Sequence, residues 1–120
     1  MATKINTASE LIPRGKLALV VFSRWENLEL REDGTGWTGY WKIARETKFD
    51  KVILYLRENR SGSSFNTVYI ADRLSILASE QEGRSIVELV NVRKLGNTDS
   101  NWYEFTSRSS NPVRYVRSSA

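Results

Sequence analysis

The strongest constraint on this chain is a short uninterrupted apolar run, Leu17–Phe22 (Leu-Ala-Leu-Val-Val-Phe), set behind Pro13-Arg14-Gly15 and Lys16. A run of this length after a Pro and a Gly reads as a strand, Lys16–Phe22, buried on both faces. A second apolar strand is expected at Lys51–Arg57 (Lys-Val-Ile-Leu-Tyr-Leu-Arg). No apolar stretch approaches the roughly 18 residues that a membrane-spanning helix needs. The first ten residues have no charged end followed by an apolar stretch, so they do not read as a secretory signal. The expectation is a cytoplasmic protein with no membrane partner. The chain has no cysteine, which fits a reducing compartment.

Other segments fill in the organisation. Residues 1–15 read as a polar arm or as a short helix around Thr7–Leu11, where Thr7 and Glu10 have capping-box spacing. Residues 16–120 read as one domain. Leu28–Arg31 is ambiguous, and Glu32–Gly36 is a turn marked by Asp33-Gly34. Asn59–Ser64 reads as a polar loop. Phe65–Ala71 and Ser85–Val92 alternate as strands do, with a turn at Glu80–Arg84 between them. Asn97–Asn101 reads as a turn, Asn101–Phe105 as a short strand or one helical turn, and Val113–Arg117 as an edge strand. Four or five strands with one or two short helices predict an α+β fold. The expected form is a small antiparallel-dominated sheet curled into a pseudo-barrel. Strands and helices do not alternate regularly, which argues against a doubly wound parallel sheet.

Composition limits the chemistry. At 120 residues the chain is long enough to bury a core without staples. Lacking cysteine and histidine, it has no thiolate ligand, no cysteine nucleophile and no imidazole base. Glu29, Glu32 and Asp33 cluster at a turn and read as a solvated surface, with no spacing for a hard metal ion. Gly34-Thr35-Gly36 lacks the partners of a phosphate-binding loop. The expectation is therefore a non-enzyme with no catalytic residues, no metal and no cofactor. Acid–base work by carboxylates on a nucleic acid is the remaining enzymatic alternative.

The aromatic residues carry more information. Phe22, Trp25, Trp37, Tyr40 and Trp41 lie within twenty residues and are interleaved with Arg24, Arg31, Lys42 and Arg45. Flat rings beside cations suit stacked bases and their phosphates. The same rings also suit a small core. Trp37, Tyr40, Trp41 and Ala44 have helical spacing. In either a helix or a strand, Trp37 and Trp41 are expected on one face. Towards the C-terminus, Trp102, Tyr103, Phe105 and Tyr115 occur with Arg108, Arg114 and Arg117. Alternation puts Arg114 and Val116 on one face of a strand, with Tyr115 and Arg117 on the other. That strand reads as an edge protected by charge or as a basic rim.

Four segments together resemble the PUA-like superfamily, and within it the EVE-type domain and its YTH and ASCH relatives. They are Val20–Ser23, Trp37–Arg45 (Trp-Thr-Gly-Tyr-Trp-Lys-Ile-Ala-Arg), Phe49–Tyr55 and Val68–Asp72, in the family's order over about residues 16–92. Tyr40, Trp41 and Lys42 stand where the family pattern has Val, Arg and Asn. The resemblance implies a pseudo-barrel that binds RNA or DNA, often through a modified base held between aromatic rings. It implies a pocket near Ser23, Trp25, Trp37 and Trp41, with Arg24, Lys42, Arg45 and Arg57 as phosphate contacts.

Three functions follow in order. The first is a non-catalytic nucleic-acid-binding module that reads a modified or flipped base. The second is a protein-interaction or inhibitor module from a mobile element, since interfaces also favour aromatics and Arg. The third is the carboxylate enzyme. A net charge of +4 is compatible with a polyanionic partner. The oligomeric state is open.

Overall fold

The computed structural model describes residues 5–43, 48–60, 63–106 and 111–119. Its centre is a seven-stranded mixed sheet. The strands are β1 (Leu17–Ser23), β2 (Leu28–Leu30), β3 (Gly36–Trp41), β4 (Lys51–Arg60), β5 (Ser63–Ala78), β6 (Ser85–Thr98) and β7 (Val113–Arg117). They lie in the order β2-β3-β6-β5-β4-β1-β7. β1 runs parallel to β4, with Ser23 opposite Leu56, and antiparallel to β7, with Leu17 opposite Arg117. The remaining ladders are antiparallel.

β1 and β4 are apolar on both sides because both sides of the sheet are covered there. Ala18 and Val20 of β1, with Ile53 and Tyr55 of β4, face one apolar cluster. Leu19 and Val21, with Val52, Leu54 and Leu56, face another. The first cluster is closed by the N-terminal segment and a single helical turn, α1 (Trp102–Phe105). Ile5, Ala8 and Ile12 are buried in it. Thr98 Oγ1 donates to the Ile5 carbonyl at 2.6 Å, tying that segment to the end of β6. The second cluster takes Leu28 and Leu30 from one edge of the sheet and Val113 and Tyr115 from the other. The sheet is therefore bent over this cluster, and the Cα radius of gyration is a compact 13.7 Å.

Thr7 precedes a short 3₁₀ turn, Ala8–Leu11, that contains Glu10, but Thr7 makes no cap. Its hydroxyl meets that of Ser9 instead, at 3.2 Å. The capping box occurs at α1. Asn101 Oδ1 accepts from the Glu104 amide at 2.8 Å, and the Glu104 carboxylate accepts from the Asn101 amide at 3.4 Å.

Several strands outrun their sequence signal. Asn59, Arg60, Ser63 and Ser64, expected in a polar loop, are paired strand residues, and the other two residues of that expected loop lie outside the described residues. β5 continues to Ala78 and β6 to Thr98. Between them the register shifts at Val68/Tyr69, Ile70/Asp72 and Arg73/Ser75. Each shift resets the inside–outside alternation without ending the strand. Leu74, in the last of these shifts, is 58% exposed although it is a strand residue. Gly36 marks a close approach, because a Cβ there would lie 2.3 Å from the Glu29 carbonyl oxygen on β2. In β7 the alternation is as expected: Val116 joins the first cluster and Tyr115 the second. Arg114 does not form an open rim, since its Nη1 donates to the Thr106 carbonyl at 2.6 Å. Among the described residues, no helix is long and apolar enough to cross a membrane.

Candidate functional site

The site is built where β1 ends. Phe22 is half-buried there, its ring stacked on Tyr55 (5.6 Å between centroids) and edge-on to Trp102 (5.7 Å). Ser23, the last residue of β1, is buried, and its hydroxyl donates to the Glu26 carbonyl at 3.1 Å. That bond closes a tight loop, Arg24–Asn27, in which Trp25 (φ 70°) and Asn27 (φ 52°) are left-handed. Asn tolerates this conformation, whereas a bulky residue such as Trp seldom adopts it. The Gly39 amide donates to the Asn27 carbonyl at 3.0 Å, which joins the loop to β3.

β3 supplies the other wall. Thr38 pairs with Val87, but Trp41 pairs with Ser85, so one extra residue is accommodated between them. Gly39 is buried, and a Cβ on it would meet Ile86 Cγ1 at 3.0 Å. Tyr40 is held from the β5–β6 turn: its hydroxyl donates to Glu80 Oε1 at 2.8 Å, and Arg84 Nη1 donates to its carbonyl at 3.2 Å. The bond to Glu80 holds the Tyr40 hydroxyl above its ordinary pKa. The Glu80 carboxyl is held below its usual range, first by its own backbone amide and then by Tyr40. Trp41 packs against the second apolar cluster, and its Nε1 donates to the buried Thr38 Oγ1 at 2.9 Å.

Between these walls is a concavity of about 290 Å³, lined by Phe22, Ser23, Arg24, Glu26, Asn27, Gly39, Tyr40 and Trp41. That is near the lower limit of small-molecule sites, about 300 Å³. It suits one planar ring system. Its lining carries one cation and one carboxylate together with three aromatic residues.

Of the residues expected at a pocket, Ser23, Arg24 and Trp41 are brought together here. Lys42 follows Trp41 and is exposed. Arg57 is exposed on β4, one residue beyond the Ser23–Leu56 pair. Arg45 and Arg108 lie outside the described residues. Trp25 does not line the concavity. Its ring meets Tyr69 edge to face, with centroids 6.1 Å apart, and the residue is 38% exposed.

The expectation that Trp37 and Trp41 share a face is corrected. Trp37 stands opposite Glu29 on β2 and Glu88 on β6, so it faces away from Leu30, Val87 and Leu89 and their cluster. The extra residue after Thr38 then turns Trp41 towards that cluster. Trp37 contacts Tyr40 instead, with ring centroids 6.4 Å apart. Sequence reasoning passed over Glu26, Asn27 and Gly39 as lining residues. The one local signal was Asn27, a residue type suited to a left-handed turn.

No protein-family model, curated protein or solved structure matches the chain.

Proposed function

We propose that this protein is a non-catalytic, cytoplasmic nucleic-acid-binding module that holds one base in the concavity at the end of β1. The observation that carries the reading is a base-sized hollow of about 290 Å³ bordered by Phe22, Tyr40 and Trp41, with Arg24 in its lining. Aromatic surfaces take any base by stacking, worth about 1–3 kcal/mol per base. Exposed Arg24, Lys42 and Arg57 supply phosphate contacts around it. The resemblance to PUA-like domains supports the same reading: Val20–Ser23 and Val68–Asp72 lie in β1 and β5, and the Trp37–Trp41 and Lys51–Tyr55 parts of the other two segments lie in β3 and β4. The bending of the sheet over one apolar cluster fed from both edges agrees with a pseudo-barrel.

Binding of labelled single-stranded RNA and DNA, followed by anisotropy across a salt series, tests this reading. The affinity should fall linearly on log–log axes, and R24Q and K42Q should each reduce the slope by about 0.7–0.9. Absent or salt-independent binding overturns it.

A second reading, a protein-interaction module, is favoured at one place. Trp37 stands between Glu29 and Glu88 across its two neighbouring strands. Glu29 is paired with Arg31 at 2.5 Å, but Glu88 repels phosphate, so the Trp37–Tyr40 pair suits a protein surface better than a nucleic acid. A concentration-dependent dimer in sedimentation, lost in W37A, would favour this reading.

A further inference from the structure

We infer that Trp25 is a second stacking surface beside the concavity. The ligand is then a single strand of at least two nucleotides, one base in the hollow and its neighbour on the Trp25 indole. This deepens the nucleic-acid reading and rests on it.

Three observations converge on the indole. It is 38% exposed, held at the sheet by one near-perpendicular ring contact to Tyr69. Its backbone is left-handed at φ 70°, a conformation that bulky residues rarely take and that collects at functional sites. Two cations stand near it, and Glu26, an exposed carboxylate that also lines the concavity, follows it in the loop. Arg24 precedes it and lines the concavity. Lys94 lies directly opposite Tyr69 in the β5–β6 ladder and is exposed, so its side chain is on the face that Tyr69 and Trp25 occupy.

A line of cation, ring and cation therefore runs from the hollow across β5 to β6. That alternation is how single strands are held: the backbone follows the charges and successive bases stack on rings. Two neighbouring bases are not both free of their stack in a duplex, so the occupant is single-stranded. Glu58 is the carboxylate that acts on Tyr69 from β4. It accepts a hydrogen bond from Thr67 Oγ1.

The test is a length series. Adenosine and uridine monophosphates, and oligo(A) and oligo(U) of two, four and eight nucleotides, are titrated by calorimetry into the full chain. The step from one nucleotide to two should tighten binding by roughly 5- to 150-fold, one stacked base's worth. W25A should abolish that step and leave monophosphate binding unchanged, with circular dichroism confirming the fold. K94Q should lower the salt slope for the longer strands by about 0.7. If monophosphates bind but the second nucleotide adds nothing, Trp25 is no platform and the pocket reading stands. If W25A weakens all lengths equally, the indole shapes the hollow and the inference fails. If the wild-type chain binds no length at all, this inference and the pocket reading fail together.

Discussion

Trp41 donates its indole N–H to the buried hydroxyl of Thr38, whereas Trp37, on the same strand, has its back to both. The two tryptophans therefore have different dependence on the fold. Replacing Trp41 by Ala removes packing from the second apolar cluster and leaves the Thr38 hydroxyl without this donor. The expected loss is about 2–3 kcal/mol, below the full core value because Trp41 is only half-buried. W37A should cost under about 1 kcal/mol. Urea unfolding of both variants checks this, and equal losses would place both rings in one core.

Gly39 packs closely against β6. In G39A the new methyl lies 3.0 Å from Ile86 Cγ1 and 3.4 Å from the Ser85 carbonyl oxygen. The strand or Ile86 must shift, at a cost of about 1–3 kcal/mol. G39A/I86A should recover part of that loss relative to the sum of the single variants, giving a coupling of at least about 0.5 kcal/mol. A purely additive double-mutant cycle would mean that the backbone, not Ile86, sets the limit.

Asp72 has a pH signature. Lys51 donates to it across β4 and β5, and Asn91 donates to its other oxygen, so its carboxyl titrates below the ordinary range. A depressed folded-state value means that this stabilisation is complete above the unfolded value, about 3.9, and is lost as pH falls through the folded one. The pair is partly exposed, so its worth is about 1 kcal/mol or less. The stability difference between wild type and D72N should be largest near neutrality and shrink below about pH 4. A difference constant from pH 7 to pH 2.5 would contradict this assignment.

The helical turn α1 depends on Asn101. N101A removes the side chain that accepts from the Glu104 amide and should cost about 1 kcal/mol. α1 brings the fully buried Phe105 into the first cluster, so the loss should appear in global unfolding as well as in local fraying. Hydrogen exchange at the Ile53 and Tyr55 amides would separate the two. Protection there should fall with the global stability.

What the sequence discloses follows the burial pattern. β1 and β4 are legible because both of their faces are covered, which forces continuous apolar runs. β7 is legible because its faces alternate without interruption. β5 and β6 are under-read because of their register shifts. Asp72-Arg73-Leu74-Ser75 has the polarity of a turn, yet it is paired strand with an exposed leucine in it. The same effect hides the site. Trp41 and Arg24 are visible as an aromatic and a cation in one neighbourhood. Glu26, Asn27 and Gly39 enter the lining through a left-handed loop and a strand irregularity, neither of which leaves a periodic trace.

The placement of β1 between β4 and β7 also governs how the chain is assembled. The hairpins β4–β5 and β5–β6 join neighbours in sequence and can form as soon as they leave the ribosome. Leu17–Ser23 has one flank matched by β4, but its other flank stays unmatched until Val113–Arg117 has been synthesised. Throughout elongation this strongly apolar strand thus offers an open backbone edge, which makes the nascent chain vulnerable to mispairing at that strand until β7 arrives to close it.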